Sequence, residues 1–291
     1  MRIGFIGLGK IGGAAALNLI KGGHQLAVYD VRSQAATDHL KMGATWAESP
    51  AAAARDAGAV FTSVPFPPDV EAVTRGPKGI AESIRPGAVY CDMTTNRVSL
   101  TRELHAFFKQ RGVDMLDMPI TGGHSGAVAG TIVTFVGGEE PVYLRMKPVL
   151  ELIGRPVYCG PGGSGNVCKL VNNMIHHSFG QVVTEACTVG VKAGVPLDTL
   201  IKALSMGWLG TRPFVPNVRF AGEYDDGSRV ELSAASVQLG CELAREVHVP
   251  AEIVNIVEQR YIEALAKGWG GLSSDAIQQV FASHSGVELK R

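Results

Sequence analysis

The sequence predicts an α/β protein: an N-terminal doubly wound sheet followed by an all-α C-terminal domain, the two joined by a long interdomain helix. Three observations carry that reading. A strand, a glycine-rich turn and a helix fill residues 2 to 20, and a second strand follows at once. Strands then alternate with helical segments as far as residue 160, the pattern of a mostly parallel sheet. Beyond that point no strand signal occurs, and apolar residues recur at helical spacing.

Arg2 to Ile6 reads as a short buried strand. Gly7-Leu8-Gly9-Lys10-Ile11-Gly12 follows it, a G-x-G-x-x-G that opens a helix ending at Gly22-Gly23. The second strand, Gln25 to Tyr29, ends in Asp30. Strand, glycines, helix, strand and acid in this register bind a dinucleotide. The glycines allow a tight turn and close approach to the pyrophosphate, the helix N-terminus faces the phosphates, and the acid meets the ribose. Asp30 favours NAD, because a carboxylate repels a 2′-phosphate; Arg32 keeps NADP as the alternative.

Ala59 to Val64 and Ala88 to Asp92 are the next strands, ending in Val64-Pro65 and in Thr94-Thr95. Both ends fall on the carboxyl edge of the sheet, where open α/β folds bind ligands. Helices are expected from Pro67-Pro68-Asp69, over Ser99 to Gln110 and over Glu140 to Leu152. Val113 to Asp117 is a strand, followed by Met118-Pro119-Ile120-Thr121-Gly122-Gly123, read as a glycine-rich loop with backbone donors and one hydroxyl. Thr131 to Val136 and Val157 to Cys159 complete the strands.

A helix of roughly eight turns then runs from the glycines at 160–165 to Ala193. Lys169 and Asn173, four residues apart, share one of its faces. Further helices are expected from Pro196 to Ser205, Leu232 to Val247, Ala251 to Lys267 and Ser274 to Phe281. The domains divide at 161/162: a dinucleotide-binding domain over 1–161 and an all-helical substrate and oligomerisation domain over 162–291.

Lys+Arg and Asp+Glu number 27 each, so no basic field draws nucleic acid or an anionic membrane. No apolar run reaches membrane-spanning length. The first strand begins at Arg2, leaving no room for a targeting peptide, and the five cysteines show no paired spacing. A reducing cytoplasm follows, with Cys168 as a buried small side chain. His124, His176 and His177 lack ligand spacing, so no metal site is expected.

Four motifs, taken together, resemble those of the β-hydroxyacid dehydrogenase family, of which 3-hydroxyisobutyrate dehydrogenase is typical. They are Gly4 to Gly12; Asp117 to Gly123 with Gly126-Ala127; Gly130-Thr131 with Val136-Gly137-Gly138; and Gly163-Ser164-Gly165 with Lys169 to Asn173. The resemblance covers almost the whole chain. It implies a Rossmann-type domain, an all-α domain and a site in the cleft between them. It implies that Lys169 is the general acid/base, that Thr121, Gly122, Gly123 and Asn173 hold the substrate carboxylate, and that Thr95, Val64 and Pro65 line the cofactor. The expected reaction moves a hydride between NAD(P) and the hydroxyl carbon of a small 3-hydroxy carboxylic acid, in a homodimer or homotetramer.

Departures from the family pattern are Thr121 for serine, a bulky Met118 expected to crowd the site, and Ala235 and Ser236 where a Lys-Asp pair is usual. Their small size predicts a roomier pocket, with Trp208 and Arg212 as candidates to meet the substrate's far end. Two other readings are an imine reductase, whose members usually lack the helix lysine, and a non-catalytic dinucleotide sensor, which has no use for Lys169, Asn173 and the Gly-Gly loop together.

Overall fold

The computed structural model describes residues 1–207, 229–287 and 289. The first part of the chain winds through β1 (Arg2–Ile6), α1 (Lys10–Lys21), β2 (Gln25–Tyr29), α2 (Thr37–Lys41), β3 (Thr45–Trp46), α3 (Pro50–Ala54), β4 (Ala59–Thr62), α4 (Pro67–Arg75), β5 (Val89–Asp92), α5 (Val98–Lys109) and β6 (Asp114–Asp117). It continues through β7 (Ile120–Thr121), α6 (Gly123–Ala129), β8 (Ile132–Gly138), α7 (Glu140–Ile153) and β9 (Gly154–Gly160).

The strands form one sheet in the order β3-β2-β1-β4-β5-β6-β8-β7, with β9 also paired to β8. β1 to β6 run parallel. β8 lies antiparallel to β6, and β9 returns parallel to β8. Strand order reverses between β1 and β4, so the ligand crevice belongs at their carboxyl ends.

Side-chain alternation along each strand builds two cores, one per face. Phe5, Val28, Phe61, Leu116 and Ile132 point to the face covered by Leu19, Met146 and Leu150. Their neighbours Ile6, Val60 and Tyr90 point to the other, against Leu104 and Phe108. Two small elements escape the periodicity reading. β3 has only two residues, and α3 is a run of alanines capped by Ser49, whose Oγ accepts the Ala52 N–H at 3.0 Å. The glycine-rich stretch after β6 is also no plain loop, since it contains β7 and the helix α6.

Among the described residues that follow, the elements are helical: α8 (Ser164–Lys192), α9 (Leu197–Met206), α10 (Val230–Glu246), α11 (Glu252–Ala266), a 3-10 turn (Ser274–Ile277) and α12 (Gln278–Ser285). Two compact units result, Met1–Lys169 and Leu170–Arg291, dividing within α8. The second unit has its own cores. One gathers Val230, Val237, Cys241, Val257, Tyr261 and Val280; the other gathers Val183, Cys187, Leu197 and Ala282. Among the described residues no helix is long and apolar enough to cross a membrane. Trp208, Arg212 and the polar stretch 222–228 lie outside the described residues.

Candidate active site

The three motif glycines do different jobs. Gly7 has φ +92°, and a Cβ there would sit 2.2 Å from the Ser63 carbonyl oxygen. A Cβ on Gly12 would come 2.2 Å from the Gly7 oxygen. Both glycines therefore let β1, α1 and the end of β4 close on one another. A Cβ on Gly9 would meet nothing within 4 Å, so its backbone faces open space. Gly9 caps α1 with no side-chain hydrogen bond, and the first turn holds no acid, which leaves its N–H groups aimed at that space. Leu8 is buried, Ile11 is half-buried against the core and Lys10 is exposed.

Asp30 is buried and ties the loop together. Its Oδ2 accepts the Leu8 N–H at 2.7 Å and its Oδ1 the Arg32 N–H at 2.8 Å. The exposed Arg32 guanidinium lies 3.6 Å from Oδ1. An open backbone turn, unpaired helix N–H groups and a carboxylate at the end of β2 suit a dinucleotide's pyrophosphate and ribose.

At the ends of the neighbouring strands the Val64 N–H donates to Thr94 Oγ1 at 3.3 Å, which joins the two segments expected to line the cofactor. Val64 and Thr95 are half-buried and Pro65 is exposed. Beneath them lies a group that sequence reasoning passed over, Asp92, with no exposure. Its Oδ1 accepts from Thr62 Oγ1 at 2.8 Å and from the Thr94 N–H at 3.1 Å, while Oδ2 has no partner. Burial pushes this carboxyl up to about 6; the Thr62 and Thr94 hydrogen bonds oppose the shift and the Asp117 charge adds to it. Asp92 and Asp117 stand opposite one another in the β5–β6 ladder.

Thr121 is half-buried, while Gly122 and Gly123 are exposed with φ of +122° and +67°. This segment is held against α1. His124 Nδ1 lies 3.0 Å from the Lys10 carbonyl oxygen, and Asn18 Nδ2 donates to the Ala127 oxygen at 2.9 Å. Met118 does not crowd the site; it is wholly buried in the sheet core.

On α8, Lys169 keeps some solvent contact, yet the protein around it desolvates the ammonium and pulls it down to about 8. One turn further on the same helix face is Asn173, buried, its Oδ1 accepting from Asn172 Nδ2 at 3.3 Å. No hydrogen bond among the described residues joins Thr121 to Lys169. Cys168 is half-buried rather than buried and its thiol meets that of Cys159, which burial pushes up to about 12. The first turn of α8 is gripped by Asp117, whose role the sequence did not show; its only local signal is an acid ending a strand beside a glycine motif.

In the second unit Ala235 is half-buried and Ser236 buried. Ser236 leaves no simple void. Its Oγ lies 3.3 Å from His177 Nε2, and Tyr261 Oη lies 2.9 Å from His177 Nδ1.

Comparison with known proteins places the chain. Residues 2–161 match the family of the NAD-binding domain of 6-phosphogluconate dehydrogenase. Residues 163–281 match the NAD-binding family of NADP-dependent 3-hydroxyisobutyrate dehydrogenase. The chain is 30% identical to 2-(hydroxymethyl)glutarate dehydrogenase of Eubacterium barkeri, over 99% of this chain and 97% of that protein. It is also 30% identical to 3-sulfolactaldehyde reductase of Escherichia coli, over 99% and 98%. The solved structure of Mycobacterium tuberculosis 3-hydroxyisobutyrate dehydrogenase with L-serine superposes with a TM-score of 0.85 at 25% identity, covering 96% of this chain and 98% of that one. With both halves of the chain matched by these families and relatives matched from end to end, this chain belongs to the β-hydroxyacid dehydrogenase family, NAD(P)-dependent oxidoreductases that move a hydride to or from the hydroxyl carbon of a hydroxy acid.

Proposed function

We propose that the substrate is a small 3-hydroxy carboxylic acid, oxidised with Lys169 as the proton-transfer residue, and that the reverse reduction uses the same residue. The carrying observation is the pairing on α8 of a desolvated lysine with a buried amide one turn away. An amine drawn down to about 8 holds enough neutral base near physiological pH to take the hydroxyl proton, and enough ammonium to return it. When bound, the nicotinamide supplies the hydride acceptor or donor. Thr121, Gly122, Gly123 and Asn173 are assigned to the substrate carboxylate: a hydroxyl, backbone N–H groups and an amide are the donors a carboxylate takes, each contributing about 1.5–3 kcal/mol. Gly7 to Gly12, Asp30, Arg32, Val64, Pro65 and Thr95 are assigned to the cofactor.

NAD is proposed over NADP. The buried Asp30 charge stands at the end of β2, and the nearby Arg32 is already drawn toward it. The division into a dinucleotide-binding domain over 1–161 and a helical domain over 162–291 belongs to the same reading. We assign the protein to a reducing cytoplasm, which suits its five free thiols. A homodimer or homotetramer is proposed because Val171, Ile175, Val182 and Val189 form one exposed apolar stripe on α8.

The deciding experiment follows nicotinamide absorbance with NAD and NADP against 3-hydroxyisobutyrate, its methyl ester, L-serine and larger 3-hydroxy acids. Oxidation of the acids with NAD, at least tenfold faster than of the ester, is the expected result. Equal rates on acid and ester would remove the carboxylate assignment, and a clear NADP preference would show that Arg32 sets the cofactor choice.

A further inference from the structure

The first turn of α8 is bolted to β6 by one carboxylate. Asp117 has no exposure and accepts three hydrogen bonds: the Gly163 N–H at 2.8 Å and His105 Nε2 at 2.9 Å on Oδ1, and the Asn166 N–H at 2.9 Å on Oδ2. A carboxylate only accepts, so Nε2 carries the ring proton of His105. A negative charge at this end of a helix is also favoured by its dipole.

Asn166 carries the grip further. Its wholly buried side chain accepts the Asn96 N–H on Oδ1 at 2.7 Å and donates from Nδ2 to Thr101 Oγ1 at 3.2 Å. Thr101 in turn donates to the Arg97 carbonyl oxygen at 2.9 Å. One asparagine thus joins three segments: the Thr94–Asn96 stretch after β5, α5 and α8.

Three glycines make the close approach sterically feasible. A Cβ on Gly137 would lie 2.5 Å from Asp117 Oδ1, one on Gly165 2.2 Å from the Phe135 oxygen, and one on Gly162 2.7 Å from the His105 ring. Lys169 follows Asn166 by three residues, less than one helical turn. The rotation of α8 that satisfies Asn166 therefore fixes the direction in which Lys169 leaves the helix.

We propose that Asp117, His105 and Asn166 are positioning residues for Lys169, a clasp that locks the rotation of α8 against the Thr94–Asn96 segment. This rests on the reading of Lys169 as the proton-transfer residue. A shift of about 1 Å at such a group costs up to about a hundredfold in rate. Loosening the clasp should also admit water around the amine.

The test compares Asn166→Ala, His105→Leu, His105→Gln and Lys169→Ala. Three quantities are read: kcat, the dissociation constant of NADH from its fluorescence, and the pH at which Lys169 is half-acylated by acetic anhydride, followed by mass spectrometry. Asn166→Ala and His105→Leu should lower kcat about 10- to 100-fold, leave NADH affinity within about twofold, and move the acylation midpoint upward toward that of an ordinary lysine. His105→Gln, which restores a donor to Asp117, should recover most of the lost rate. A wild-type acylation midpoint in both His105→Leu and Asn166→Ala overturns the clasp, whatever happens to melting temperature. If Asn166→Ala does not fold, the two His105 variants decide alone. Full turnover by Lys169→Ala would instead remove the proton-transfer reading, and the acylation midpoints would still decide whether the clasp positions the lysine.

Discussion

Lys169 and Asp92 are both displaced from their ordinary ionisation by burial, with opposite consequences. For Lys169 the desolvated amine titrates near 8. Alcohol oxidation needs the neutral base, so kcat/KM for oxidation should rise about tenfold per pH unit below that point and level off above it. Reduction should show the mirror image and fall above pH 8. Lys169→Met should erase this limb and lower kcat by about 10²–10⁴-fold with cofactor binding retained. Steady-state profiles in both directions check this, and an unchanged limb in the variant would assign it to another group. For Asp92 the relevant readout is stability. Its folded value of about 6 lies above its ordinary 3.8, so the protonated form is the one the fold prefers. The stabilising contribution is complete below the unfolded value, is lost as pH rises through the folded value, and stays absent above it. Asp92→Asn cannot ionise. Relative to wild type it should therefore gain about 2 kcal/mol between pH 4.5 and 7.5. Urea unfolding of both proteins at the two pH values measures the difference; no change between them would mean that Asp92 stays ionised in the fold.

At the scale of elements, glycine serves two purposes that one substitution separates. Gly9→Ala adds a methyl into open space at a residue with φ −65°, which alanine adopts freely. Melting temperature should be unchanged while NADH affinity falls at least about tenfold, because the methyl takes up room the pyrophosphate needs. Gly165→Ala drives a methyl toward the Phe135 and Asp117 carbonyl oxygens and must lift the first turn of α8 from β6 and β8. It should cost about 1–3 kcal/mol, as overpacked positions do. Thermal melts and NADH titrations on the two variants check both halves; loss of stability in Gly9→Ala would show that its open face is closed in solution. α6 shows the limit of propensity. Its seven residues include Gly123 at the first position and Gly126 in the middle, which intrinsic preference disfavours. The Asn18 and His124 hydrogen bonds to and from its neighbours, with Ala127 wholly buried, hold the turn in place.

At the scale of the molecule, the two compact units have separate apolar cores, and among the described residues α8 carries a row of exposed aliphatic side chains. Val171, Ile175, Val182 and Val189 fall within about 40° of one another around α8 and span about 27 Å of its length. Val182 and Val189 are 58% and 65% exposed, high values for branched aliphatics on one helix face. A second copy of the chain covering this row is the assembly proposed above. Val182→Glu places a charge in the middle of it and should shift the proposed dimer or tetramer toward smaller species in light scattering after gel filtration. A wild-type protein that is monomeric at tens of micromolar would remove the proposal.

Much of this site was legible in the chain order because its chemistry is local. A phosphate-binding turn needs its glycines within six residues and its acid at the end of the next strand, and Gly7 to Gly12 and Asp30 satisfy that in register. Lys169 and Asn173 share a face because four residues slightly exceed one helical turn. The helical character after residue 160 was plain from periodicity alone. Other features depended on partners distant in sequence. Asp117 meets Gly163 and Asn166 from 46 and 49 residues away, and nothing near it in sequence announces those donors. The antiparallel turn of β8 against β6, the use of Ser236 beside His177, and the inward burial of Met118 were likewise settled by packing. Spacing along the chain specifies which groups lie on one turn or one strand end. Which buried carboxylate is satisfied, and which is left like Asp92 with an oxygen unpaired, follows only when separate strands and helices bring their donors together.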